Sequence, residues 1–109
     1  MPPRDAGLEH DETFTFGFRA VQDKAPKTSG VYAIYTSRQW LYVGESGDIQ
    51  KSLYDHLNRQ GCLARRGPLS FSFEVVAPGE RAGRRQTLVE ALAPVCNQPA
   101  AAAAIEPRS

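Results

Sequence analysis

The sequence predicts an α/β (α+β) domain, a small mixed β-sheet flanked by helices. Three observations predict it. Two short aromatic and apolar runs, Gly30-Val31-Tyr32 and Tyr42-Val43-Gly44, are separated by enough chain to finish one strand, turn and start the next. Residues 13–18 and 69–76 alternate polar and apolar side chains, the period of a strand with one buried face. Two further stretches carry apolar residues at helical spacing, Ile49, Leu53 and Leu57 in one, Leu88, Val89 and Leu92 in the other. Strand, hairpin, helix, strand, helix is the order of a sheet covered by helices.

Each element has a local reason. Residues 1–11 are polar with two prolines and are expected to be disordered. Phe14, Phe16 and Phe18 recur with period two, so residues 13–18 are expected to form a strand. Residues 20–27 then form a polar connection broken by Pro26. Residues 30–36 are rich in β-branched and aromatic types, and 41–43 continue the hairpin. Gly44 and Gly47 permit a tight turn. Asp48 is a helix cap, and its helix should end near Gly61. Residues 65–68 are loop, 69–76 strand and 77–79 turn. A second helix should run over 80–93, stopped by Pro94. The alanine run 101–104 is too short to hold a helix alone, so 99–109 are expected to be a disordered tail. No repeat is visible, which leaves one domain over 12–98.

Composition narrows the function. At 109 residues, 41% hydrophobic and 23% charged, the chain can build one modest core. A net charge of +1 does not by itself call for a polyanionic partner. No apolar run approaches the length of a membrane span, and residues 1–11 lack the apolar centre of a secretory signal, so a cytoplasmic location is expected. Cys62 and Cys96 are too few and too far apart in sequence for a zinc site or disulfide framework and are read as free thiols. His10 and His56 are not at metal-ligand spacing from either cysteine.

The two triplets, the helix through Asp55-His56-Leu57, and the ending Leu88-Val89 with Pro94-Val95-Cys96-Asn97 stand in an order that resembles the GIY-YIG endonuclease domain. The resemblance covers about residues 30–97. It implies a fold in which Tyr32, Tyr42 and His56 line a site that cuts DNA phosphodiesters. In that family a tyrosine helps take a proton from the attacking water, a helix arginine stabilises the phosphate, and a later glutamate binds one divalent metal. Water is a poor nucleophile until it loses a proton, and the crowded phosphate needs fixed positive charge. Mg²⁺ in turn wants carboxylate oxygen.

Two positions depart from the pattern. The family's arginine falls on Ser52, one helical turn before His56, and its metal-binding glutamate falls on Arg85. Lys51 and Glu90 are near in sequence but point elsewhere on their helices. Tyr32 and Tyr42 are therefore read either as relics of an active site or as strand tyrosines that hold the hairpin, the structural role being favoured. His56 has a hydrogen-bonded structural role as its default. Ser52 beside His56 lacks the orienting acid a nucleophile needs. Glu45 is read as solvated, and Trp40 as either a base-stacking platform or a packed edge residue.

The arginines carry the remaining signal. Arg65 and Arg66 follow the first helix, while Arg81, Arg84 and Arg85 share a side at the start of the second, with only Glu80 to compensate them locally. The expectation is a GIY-YIG-like domain, catalytically degenerate, that binds DNA or RNA phosphates through these five arginines without reading bases. One alternative is an active Mg²⁺-dependent endonuclease with Lys51 and Glu90 or Glu45 in displaced roles. Another is a protein-interaction module with an unnamed partner. No cofactor is expected outside the nuclease alternative.

Overall fold

β-Branched and aromatic side chains suit a pleated surface, and Gly30–Tyr35 is the central strand of the fold. The structure is a computed structural model that describes residues 14–59 and 61–97. In chain order the elements are β1 (Phe14–Thr15), α1 (Phe18–Lys24), β2 (Gly30–Tyr35), β3 (Trp40–Ser46), α2 (Ile49–Asn58), β4 (Ser70–Val75) and α3 (Arg81–Leu92). Short 3₁₀ turns lie at Gly61–Leu63, Pro78–Glu80 and Val95–Asn97. The segments expected to be disordered, 1–11 and 99–109, lie outside the described residues.

The sheet runs β1-β4-β2-β3, and every pairing is antiparallel. The α+β class holds, but the sheet is not mixed. β2 lies between β3 and β4, both of which run against it, so no two parallel strands touch. All six residues of β2 are buried, as befits a strand with layers on both faces.

Those layers follow from the alternation. Tyr32, Ile34 and Phe71 face a core closed by Val21 of α1 and by Ile49 and Leu53 of α2. Val31, Ala33, Tyr35 and Val43 face the other way and meet Leu88 of α3, with Val89 and Leu92 at its edge. A bulge in the hairpin, where Ile34 pairs with Tyr42 and Tyr35 with Trp40, leaves Leu41 as the extra residue. Two consecutive side chains, Leu41 and Tyr42, thereby pack toward the same core.

α2 forms as expected. Asp48 caps it by accepting from the Lys51 amide at 3.0 Å. α3 also forms, ending at Ala93 in a left-handed conformation just before Pro94. Several expectations fail. Gly44 lies within β3, paired with Tyr32, rather than in a turn running from Gly44 to Gly47, and residues 20–24 of the expected polar connection are helical. The strand over 13–18 covers only Phe14–Thr15 among the described residues, and Phe18–Lys24 is a helix. Phe14 and Phe16 pack against Phe71, but after Gly17 the chain turns, so Phe18 faces outward, 56% exposed and stacked on Tyr54. The free thiols are also overturned, because Cys62 and Cys96 are joined by a disulfide. The fold brings the turn after α2 against the turn after α3, a proximity that sequence separation hides.

Candidate functional site

The β2–β3 register sets Tyr32 opposite Gly44, and the Tyr32 ring fills the space a Gly44 side chain would need. The bulge turns Tyr42 to the same face, with ring centroids 6.1 Å from those of Tyr32. On α2, burial of Ile49 and Leu53 fixes the helix's rotation, so Ser52 and His56, one turn apart, look toward the hairpin. The His56 ring lies 5.6 Å from that of Tyr32 and 4.6 Å from that of Tyr42. A hydrogen bond of 2.9 Å joins Tyr32 Oη and His56 Nε2. Ser52 Oγ donates to Ser46 Oγ at 2.6 Å, and Ser46 Oγ donates onward to the Asp48 carbonyl.

Burial shifts the electrostatics of one part of this cluster. Burial, and then the neighbouring Tyr42, push the Tyr32 phenol far above the usual tyrosine range. The hydrogen bond shared with Ser52 and the Arg85 charge act in the opposite direction but do not offset burial. A phenol that stays protonated and shut away from water is a poor base for an attacking water.

The arginines divide into two groups. Arg81 Nε pairs with Glu45 Oε1 at 3.1 Å, and its Nη1 reaches Ser29 Oγ at 3.3 Å. Arg84 Nε pairs with Glu74 Oε1 at 3.0 Å. Glu80 is therefore not the compensating acid, and Glu45 is not simply solvated. Both carboxylates come from the sheet. Arg66 donates to the Cys62 carbonyl at 2.9 Å, and Arg65 stands exposed on the same loop. Arg85 is half-buried, has no ion pair among the described residues, and lies close enough to act on Tyr32 through its charge. Ser52 and Arg85, the two departures, thus meet at the tyrosine–histidine cluster. Trp40 is no stacking platform, being buried with its ring 4.7 Å from that of Tyr35.

No protein-family model matches the sequence, and no curated protein matches it. Among solved structures, the chain is similar to the magnesium-bound GIY-YIG N-terminal endonuclease domain of UvrC from Thermotoga maritima. Identity is 23% and the TM-score 0.59, over 73% of this chain and 94% of that one. A point mutant of that domain, bound to its catalytic divalent cation, gives a TM-score of 0.58 at 23% identity over 73% and 93%. This chain has the GIY-YIG-like fold.

The GIY-YIG-like fold implies a divalent metal, and the residues present do not fit one. A guanidinium, Arg85, stands where the resemblance puts the metal carboxylate. Glu45 is held by Arg81, while Glu90 accepts from Gln86 on the exposed side of α3. Lys51 and Asp55 form an exposed pair with each other at 3.6 Å. Among the described residues no three His, Cys, Asp or Glu side chains cluster as metal ligands. Nor is any described helix long and apolar enough to cross a membrane.

Two contributors to the site escaped the sequence reading. Ser46 orients Ser52, and Asn97 grips the backbone of Val43 between Tyr42 and Gly44. Asn97 carried a signal, its place in Pro94-Val95-Cys96-Asn97. Ser46 carried none beyond its position after the second triplet.

Proposed function

We propose that this GIY-YIG-like domain is catalytically degenerate and binds nucleic acid by its phosphates, without a metal, at the face where Tyr32, Tyr42, His56 and Arg85 meet. The observation that carries the reading is the state of Arg85. It is a half-buried cation without a carboxylate partner among the described residues, close enough to Tyr32 for its charge to act on a phenol that is hydrogen-bonded to His56. Such a group favours an anion and repels a divalent cation. Arg65 extends the positive surface, whereas Arg81 and Arg84 already hold carboxylates and contribute less.

The similarity to an endonuclease domain supports nucleic acid as the partner class. Phosphate contacts give affinity without base specificity. The test is binding to duplex, branched and single-stranded DNA and to RNA at about 50 mM salt, where phosphate contacts are strong. We expect modest affinity with a log–log salt slope shallower than about −3, and no cleavage with Mg²⁺ or Mn²⁺. Absence of binding to every probe rejects the reading. Cleavage that disappears in Tyr32→Phe or Tyr42→Phe restores the nuclease alternative. Exposed Phe18, stacked on Tyr54, favours a protein partner as the second reading.

A further inference from the structure

The Cys62–Cys96 bond is one end of a short mechanical chain. It ties the turn after α2 to the turn Val95–Asn97. The next residue, Asn97, spans Val43 with its carboxamide: Oδ1 accepts from Val43 N at 2.8 Å and Nδ2 donates to Val43 O at 3.0 Å. Val43 lies on β3, the edge strand of the sheet. Asn97 therefore does for Val43 what a neighbouring strand would do. Val43 in turn sits between Tyr42 and Gly44, the two residues against which the Tyr32 ring is seated.

We propose that Cys62–Cys96 is a thiol–disulfide exchange site whose reduction by a dithiol releases the Asn97 clasp on β3 and loosens the seat of Tyr32 and Tyr42. The inference does not rest on the nucleic-acid reading. It also gives the disulfide a role in a reducing cytoplasm, where the clasp is open, and in an oxidising compartment, where it is closed.

The exchange balances as follows. A thiolate of the dithiol attacks Cys62 Sγ, since Cys62 is half-buried and Cys96 is buried. The sulfur–sulfur bond breaks and Cys96 leaves with the electron pair, then takes a proton. The second thiolate of the reductant attacks its own sulfur in the mixed disulfide and expels Cys62 as a thiolate. Arg66 Nη2 lies 3.4 Å from Cys62 Sγ, and its charge favours that departure. The protein gains two electrons, and the dithiol becomes a cyclic disulfide. Once the sulfurs part, the turn that carries Asn97 keeps its Asn97 N to Pro94 O hydrogen bond and its core packing but loses its covalent tie to the turn after α2, so the two hydrogen bonds to Val43 compete with water from a looser base.

Amide hydrogen exchange of the full chain tests this, oxidised and in excess dithiothreitol. The expected result is a Val43 amide that exchanges at least about tenfold faster after reduction while the β2 amides change little, a local opening. Asn97→Ala in the oxidised protein should reproduce the Val43 change with the disulfide intact. Unchanged Val43 exchange on reduction overturns the proposal. So does equal loss of protection across β2 and β3, or two free thiols per chain in protein purified without reductant.

Discussion

The Tyr32 ring rests on the backbone of Gly44. A Cβ added at Gly44 would lie 2.5 Å from Tyr32 Oη, 2.6 Å from Cζ and 2.9 Å from Tyr42 Cε2. The glycine is required here by close approach, because the buried Tyr32 ring has no room to yield. Gly44→Ala should destabilise the fold by about 1–3 kcal/mol, measured by urea unfolding. Gly47→Ala is the contrast. Its added Cβ would meet only the Arg81 guanidinium, at 3.3 Å, and a flexible side chain gives way.

Tyr32→Phe should cost about 1 kcal/mol at neutral pH, the worth of the hydrogen bond to His56. The alkaline limb is more telling. Burial holds the folded phenol protonated above the range where an unfolded tyrosine, near pH 10, loses its proton. Above about pH 10 the unfolded chain therefore binds fewer protons, and stability falls as pH rises. The slope from this group approaches about 1.4 kcal/mol per pH unit. Tyr32→Phe should remove it, so the two stability curves converge at high pH.

The ion pairs should rank by burial. The Arg84–Glu74 side chains are 25% and 13% exposed, Arg81–Glu45 25% and 32%, and Lys51–Asp55 74% and 64%. Double-mutant cycles should give the largest coupling for Arg84–Glu74, on the order of 1 kcal/mol, and about 0.3 kcal/mol for Lys51–Asp55. Equal couplings would mean that burial does not set their strength.

Asn97→Ala leaves both the amide and the carbonyl of Val43 without their clasp, and should cost about 1–3 kcal/mol. Asn97→Asp keeps the acceptor but sets a carboxylate oxygen against the Val43 carbonyl, so at neutral pH it should cost at least as much as alanine. Chemical denaturation of the three proteins checks the order.

Much of this was legible in the residues themselves. The hairpin, the Asp48 cap and the burial of Ile49, Leu53 and Leu88 follow from local pattern, and the meeting of Tyr32, Tyr42 and His56 follows from the resemblance. What was not legible depends on where the chain returns. Phe18 has the right spacing for a strand, but it is the first residue of α1, so the alternation stops at the extended Gly17. The carboxylates that hold Arg81 and Arg84 stand on β3 and β4, and only the packing of α3 against the sheet brings them there. Cys62 and Cys96 are 34 residues apart, and no local rule joins them. The mixed-sheet expectation failed for a similar reason, since element order does not say which neighbour β4 will choose.

The proposal that matters most is that Arg85, standing where the resemblance puts a metal carboxylate, serves an anion instead. Fluorescence anisotropy of labelled single-stranded and duplex DNA at about 50 mM salt, in EDTA and again in Mg²⁺, tests it most directly. The account predicts binding that is equal in EDTA and Mg²⁺ and that weakens at least about tenfold in Arg85→Ala, the loss of one charge-assisted phosphate contact. Binding that needs Mg²⁺, or that Arg85→Ala leaves unchanged, would contradict it.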